Sequence, residues 1–195
     1  MKLRILFAAA LFLTGLTTSQ ANITSISYTD DGDGAVKCPI YTWPGGTDVS
    51  IYGDQYWGPG HVLFDIVTDS SGDPTLTLAN AIENDTAFAW TGYEVDISMN
   101  KTFTFSGQTV TLPGDWTVSS VVQPGAPIGG IYTGQLFFTA GTPVPVGGEL
   151  DFAFKLTFLG SAQFTEQLVP VPEPGVFSLL LGGLLLVGRR AMKRR

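Results

Sequence analysis

The chain has 195 residues, 44% of them hydrophobic and 14% charged, with a net charge of −7, one cysteine and one histidine. That length suffices for one domain with a sizeable core, while the composition excludes internal disulfides, a zinc site built from several His or Cys, and any Ser-His-Asp arrangement that does not use His61. Charge is unevenly placed: residues 22–169 hold sixteen of the seventeen acids and only Lys37, Lys101 and Lys155, a net of −13 that opposes binding to nucleic acid or to an anionic membrane surface.

The N-terminus reads as a processing segment. Lys2 and Arg4 precede an apolar run from Ile5 to Leu16, and Ser19-Gln20-Ala21 supplies small residues at the two positions that signal peptidase reads. Residues 1–21 are therefore expected to be a signal peptide cut after Ala21, with signal peptidase as partner. No cysteine lies near that site to carry a lipid.

From residue 22 to 169, Gly- and Pro-rich turns separate short runs of Val, Ile, Thr, Phe and Tyr, and no stretch has convincing helical periodicity. In chain order the expected strands are Ile23–Tyr28, Asp48–Tyr52, Val62–Val67, Thr75–Ala81, Ala87–Ser98, Thr102–Phe105, Gln108–Leu112, Trp116–Val122, Ile131–Thr139, Glu149–Phe158 and Phe164–Val169. Residues Ala81 to Asn84 read as a turn. In the segment from Ala87, Phe88 and Trp90 share one face and Tyr93, Val95 and Ile97 another, with Gly92 permitting a bulge and a passage between two sheets. Ser106-Gly107 reads as a two-residue hairpin setting Phe103 opposite Val110. The strongest pattern is Glu149 to Phe158, where Leu150, Phe152, Phe154, Leu156 and Phe158 alternate with smaller or polar residues and define one buried face. The expected fold is all-β: a single antiparallel β-sandwich of Greek-key, jelly-roll or immunoglobulin-like type.

Two candidate sites lie early in this domain. Asp30, Asp31 and Asp33 crowd carboxylates into a loop with Gly32 and Gly34, as a calcium loop requires, although Ala35 and Thr42 stand where an EF-hand places ligands. Tyr41, Trp43, Tyr52, Tyr56 and Trp57 cluster in a turn-rich segment, and aromatic faces displayed on a sandwich can stack on sugars. His61 has no nucleophile motif beside it, and no pair of carboxylates is marked out for sugar hydrolysis. No organic cofactor is implied.

Residues 170–195 form a third unit. Pro172-Glu173-Pro174 is a stiff, extended block; Gly175 to Gly188 is an uncharged run of fourteen residues; Arg189, Arg190, Lys193, Arg194 and Arg195 close the chain. As a helix the run covers roughly 21 Å, short of the roughly 30 Å hydrocarbon core, so it is a weak membrane anchor whose basic end snorkels to the cytoplasmic headgroups. This order of blocks resembles the PEP-CTERM sorting signal of exported proteins in Gram-negative bacteria. The resemblance covers only the final eighth of the chain, and implies recognition of Pro172, Glu173 and Pro174 by an exosortase-type processing enzyme, with Arg189 and Arg190 opening the basic cluster. It also implies a connection with exopolysaccharide and with biofilm or floc formation. The sequence thus predicts no enzyme but an exported structural or adhesive protein, held first in the inner membrane and then at the cell surface or in the extracellular matrix. The alternative is a carbohydrate-binding module.

Overall fold

A computed structural model describes residues 21–30, 36–37, 40–42, 48–56 and 59–172. The signal-peptide segment up to Gln20, the calcium candidates Asp31 and Asp33, the aromatics Trp43 and Trp57, and Glu173, Pro174, Arg189 and Arg190 lie outside the described residues. The described chain is all-β. Its twelve strands are β1 (Ile23–Asp30), β2 (Val36–Lys37), β3 (Ile40–Thr42), β4 (Asp48–Gln55), β5 (Gly60–Thr68), β6 (Thr75–Asn84), β7 (Trp90–Met99), β8 (Phe103–Leu112), β9 (Thr117–Val122), β10 (Tyr132–Val144), β11 (Glu149–Phe158) and β12 (Ala162–Pro172). Among the described residues there is no helix long and apolar enough to cross a membrane.

Two sheets pack face to face. Sheet I has the order β1-β5-β12-β7-β10-β9, and sheet II has β2-β4-β6-β11-β8, with β3 also paired to β4. Every ladder is antiparallel except β4–β6, which is parallel. This departs from the fully antiparallel expectation for a topological reason: β4 hands the chain to β5 in the other sheet, and β6 returns beside β4 in the same direction.

Alternation builds the core. In β11, Leu150, Phe152, Phe154, Leu156 and Phe158 are all buried, as their period of two requires. Phe152 is the central contact between layers, with ring centroids 4.8 Å from Phe138 of β10 and 5.7 Å from Tyr93 of β7. Phe103 and Phe105 of β8 meet edge to face at 5.3 Å, and Gly134 of β10 faces them where a Cβ would lie 2.7 Å from Phe105 Cε2.

Four expectations are corrected. Thr102–Phe105 and Gln108–Leu112 are not two arms of a hairpin: β8 is one strand along β11, pairing Phe103 with Phe158 and Val110 with Phe152. Gly107, at φ +59°, supplies the left-handed residue of a bulge instead of a turn, so three steps on β8 oppose two on β11. Ala81 to Asn84 is not a turn but the end of β6, paired with Glu149 to Asp151 as far as Glu83. The corner comes next, where buried Asn84 donates to the carbonyls of Phe88 (3.0 Å) and Val144 (3.0 Å), and Trp90 donates its indole N–H to Thr86 Oγ1 (3.1 Å). Finally, β7 begins at Trp90, not Ala87, and stays within sheet I instead of passing between sheets. The expected irregularity near Gly92 is present: both neighbouring ladders shift register between Gly92 and Trp90. That shift turns Trp90 and Tyr93 to the same interior face, their rings 5.1 Å apart.

At its end β12 runs through Pro170, Val171 and Pro172, beyond the domain limit of 169 read from the sequence. The pairing of β12 with β5 stops at Leu168 opposite Gly60, while that with β7 continues to Pro172. With one side of the strand open, the missing N–H groups of both prolines cost no ladder bond.

Candidate functional site

The outer face of sheet II carries the site, and register alone assembles it. Residues facing away from the core fall into rows across β4, β6, β11 and β8. One row is Asp54, Glu83 and Glu149; the next is Tyr52, Ala81, Asp151 and Leu112; the third is Ser50, Ala79, Ala153 and Thr109. The alanines leave a low floor between taller neighbours. The result is a groove of about 270 Å³, bordered by Tyr52, Thr109, Thr111, Glu149 and Asp151. Tyr52, 50% exposed, stands at one wall.

Its electrostatics are one-sided. Desolvation and then the neighbouring Asp151 raise the pKa of Glu149; desolvation also raises that of Asp151, against a lowering contribution from its hydrogen bond with Glu149. Asp151 Oδ1 is shielded from solvent and has no hydrogen-bond partner. On sheet I the comparable pair, Glu94 and Asp96, is bridged by Gln135 Nε2 at 2.9 and 2.8 Å.

The sequence-read aromatics divide. Tyr52 lines the groove; Tyr56 is half-buried and donates its hydroxyl to Asp54 Oδ2 at 3.1 Å, at the acidic end of the same face. Tyr41 lies in β3 with its backbone opposite Ser50. Asp30 ends β1, with its backbone opposite Val62. Ala21 is buried at the start of the described chain, beside Asn22, whose side chain donates to Asp69 Oδ2 at 2.8 Å. Pro172 closes β12, its carbonyl accepting from the Thr91 hydroxyl at 3.3 Å. His61 sits in β5 opposite Gln167, away from the groove-lining residues.

Sequence reasoning missed that Glu149 and Asp151 share a groove with Tyr52, because that depends on a parallel pairing between strands in different parts of the chain. It also missed a buried polar layer between the sheets. Glu166 of β12 faces inward, fully buried, and accepts from Asn80 Nδ2 at 3.2 Å; Gln55 accepts from the Tyr93 hydroxyl at 2.5 Å and donates to the Leu168 carbonyl at 3.1 Å. Desolvation lifts the Glu166 carboxyl to about 8, against a smaller lowering contribution from Asn80. Glu166 is therefore neutral at pH 7. Its Oε2 and Asn80 Oδ1 are both buried without a hydrogen-bond partner, and the proton that burial keeps on the carboxyl makes it a donor as well as an acceptor.

No family model matches the chain, and neither a curated protein nor a solved structure matches it at a significant level.

Proposed function

We propose that this chain is an exported adhesive protein of the cell surface or extracellular matrix, whose sandwich holds carbohydrate in the outer groove of sheet II. The groove carries this reading: an exposed Tyr52 presents a face for stacking on a sugar ring, and Thr109, Thr111, Glu149 and Asp151 offer hydroxyl and carboxyl partners beside an apolar floor. Export and sorting rest on the sequence, through the signal peptide with its Ser19 and Ala21 site and the PEP-CTERM resemblance at Pro172, Glu173, Pro174, Arg189 and Arg190. An exosortase-type enzyme and exopolysaccharide are the partners this implies. A Greek-key or jelly-roll descent belongs to the same proposal, supported by connections such as β4–β5, β5–β6, β6–β7 and β7–β8 that cross between sheets.

Binding is favoured over hydrolysis. Glu149 and Asp151 share a hydrogen bond, closer than the roughly 5 Å that separates the carboxyls of a retaining glycosidase. Binding of the full chain to a panel of immobilised oligosaccharides, with and without Tyr52→Ala, tests the reading. Retention of at least one sugar by the parent and loss in the variant is expected; equal retention by both removes the groove from the proposal.

A further inference from the structure

We propose that the outer edge of β9, with the turn that follows it, is a self-association surface at which two copies of this chain pair edge to edge and extend sheet I across a two-fold axis. Among the described residues β9 ends sheet I, paired with β10 alone. The strand overhangs the core: Val121 and Val122 lie opposite Leu136 and Gln135, on opposite faces of the sheet, yet both are exposed, 37% and 45%. Beyond it the backbones of Ile128 and Ile131 exchange both hydrogen bonds, at 3.0 and 3.1 Å, around Gly129 and Gly130, whose φ angles of +61° and +83° suit a two-residue turn. That turn holds Ile128 87% exposed, a large apolar group fixed in solvent.

Charge identifies the occupant. Residues 116–148, which include β9, the turn and β10, are the longest stretch of the chain without Asp, Glu, Lys, Arg or His, in a domain whose residues 22–169 carry a net of −13. A cationic partner gains more elsewhere on such a molecule, and a polyanion is repelled by it. A second copy carries the same charge, so it approaches with least repulsion where both surfaces are neutral, and a two-fold contact needs a patch complementary to itself, which an open strand edge is. Along the sheet the first carboxylates inward are Glu94 and Asp96 of β7, two strands or roughly 10 Å away and bridged by Gln135. Asp115 precedes the far end of β9 and accepts from the Thr142 hydroxyl at 2.7 Å. The other sheet ends are guarded. β2 and β3 have two and three residues, and β1 ends in Asp30 with its Ser27 opposite the exposed Asp65. β8 carries the Gly107 bulge, and Gln123 accepts from the Phe105 N–H at 2.9 Å and donates to the Phe105 carbonyl at 3.1 Å. β9 has its own bulge at Ser119, whose hydroxyl turns back to the Phe137 carbonyl at 3.0 Å, so the run left open is Ser120 to Val122.

Sedimentation equilibrium of the full chain in density-matched detergent, at about 0.1 mM protein and at low and moderate salt, reads the association. A reversible dimer is expected, holding or tightening as salt rises and screens the acidic remainder of the two copies. Val122→Glu combined with Ile128→Glu brings carboxylates to both sides of the two-fold axis and should weaken the dimer about tenfold or more. Leu63→Glu combined with Val67→Glu, which adds the same charge to the exposed outer face of β5, should change it by no more than about twofold. A monomer under every condition overturns the inference. So does a dimer that Val122→Glu with Ile128→Glu leaves intact, which traces association to another part of the chain such as the C-terminal apolar run. A dimer that loosens as salt rises, or that the β5 control weakens to the same degree, overturns it as well. The groove of sheet II takes no part in this contact, so each of those outcomes leaves the glycan reading to its own test.

Discussion

Glu166→Gln should stabilise this protein, and by an amount set by pH. Glu166 is fully buried between Val62 of β5 and Ile97 of β7, facing Asn80 of β6; among the described residues the other buried polar groups are Gln55, Asn84 and Thr86, none of them acidic or basic. Its carboxyl titrates at about 8 in the fold against an ordinary 4.5. Below pH 4.5 both folded and unfolded chains hold the proton, and the stability is fully present. Between the two values the unfolded chain ionises while the folded one does not, so stability falls by about 1.4 kcal/mol per pH unit; above pH 8 no more is lost. The total is about 5 kcal/mol, comparable with the whole stability of a marginal domain. Glutamine keeps the shape, cannot ionise, and retains an oxygen to accept from Asn80 Nδ2.

Urea unfolding of both proteins, followed by fluorescence of the buried Trp90 and Trp116, gives the stability at pH 4.5, 6, 7 and 8.5. The variant and the parent should agree within about 1 kcal/mol at pH 4.5 and diverge steadily to pH 8. The raised carboxyls of Glu94, Glu149 and Asp151 and the lowered one of Asp69 occur in both proteins and cancel in the difference. A difference that does not change with pH would refute the neutral buried acid.

Three further outcomes follow from the packing and the terminal segment. Phe152→Ala removes the ring between Phe138, Tyr93 and Phe154 and should cost roughly 3–5 kcal/mol by chemical denaturation, without changing the fold by circular dichroism. Gly134→Ala should cost about 1–3 kcal/mol, because its Cβ meets Phe105, and Phe105→Leu in the same chain should recover part of the loss. Replacing Pro172, Glu173 and Pro174 with alanines should leave full-length protein in the inner-membrane fraction of a host with the sorting enzyme, whereas deleting residues 175–195 should release protein to the periplasm. Trimming and delivery of the alanine variant like the parent would exclude the motif as the recognition element.

The strand content was legible because hydrophobic alternation is local. Glu149 to Phe158 shows its buried face in ten consecutive residues, and the structure keeps those limits unchanged. Where the pattern failed, inward polar residues had taken apolar slots. Asn84 ends β6 inside the core yet reads as a turn residue, and Glu166 shares its parity with buried Ala162, Phe164 and Leu168. That parity was the one available signal for the buried acid. Ser106-Gly107 was ambiguous for another reason: the same left-handed glycine serves a hairpin or a bulge, and only the partner strand decides. The groove was out of reach, since Tyr52, Ala81 and Asp151 become neighbours only through pairings that no local window contains.

The course of β12 has a mechanical consequence. Its last residue, Pro172, directly precedes the C-terminal segment, and the strand lies inside sheet I between β5 and β7. When the chain is held by that end and pulled by whatever occupies the groove on sheet II, tension enters along the axis of β12. The ladders to β5 and β7 are then loaded in shear, many bonds at once, instead of being peeled open one pair at a time. The four residues from Val169, held by β7 alone, yield first as a short tether. The remainder of the strand passes the load across the core to the opposite sheet, where Phe152 packs on Tyr93 and Phe138 of sheet I.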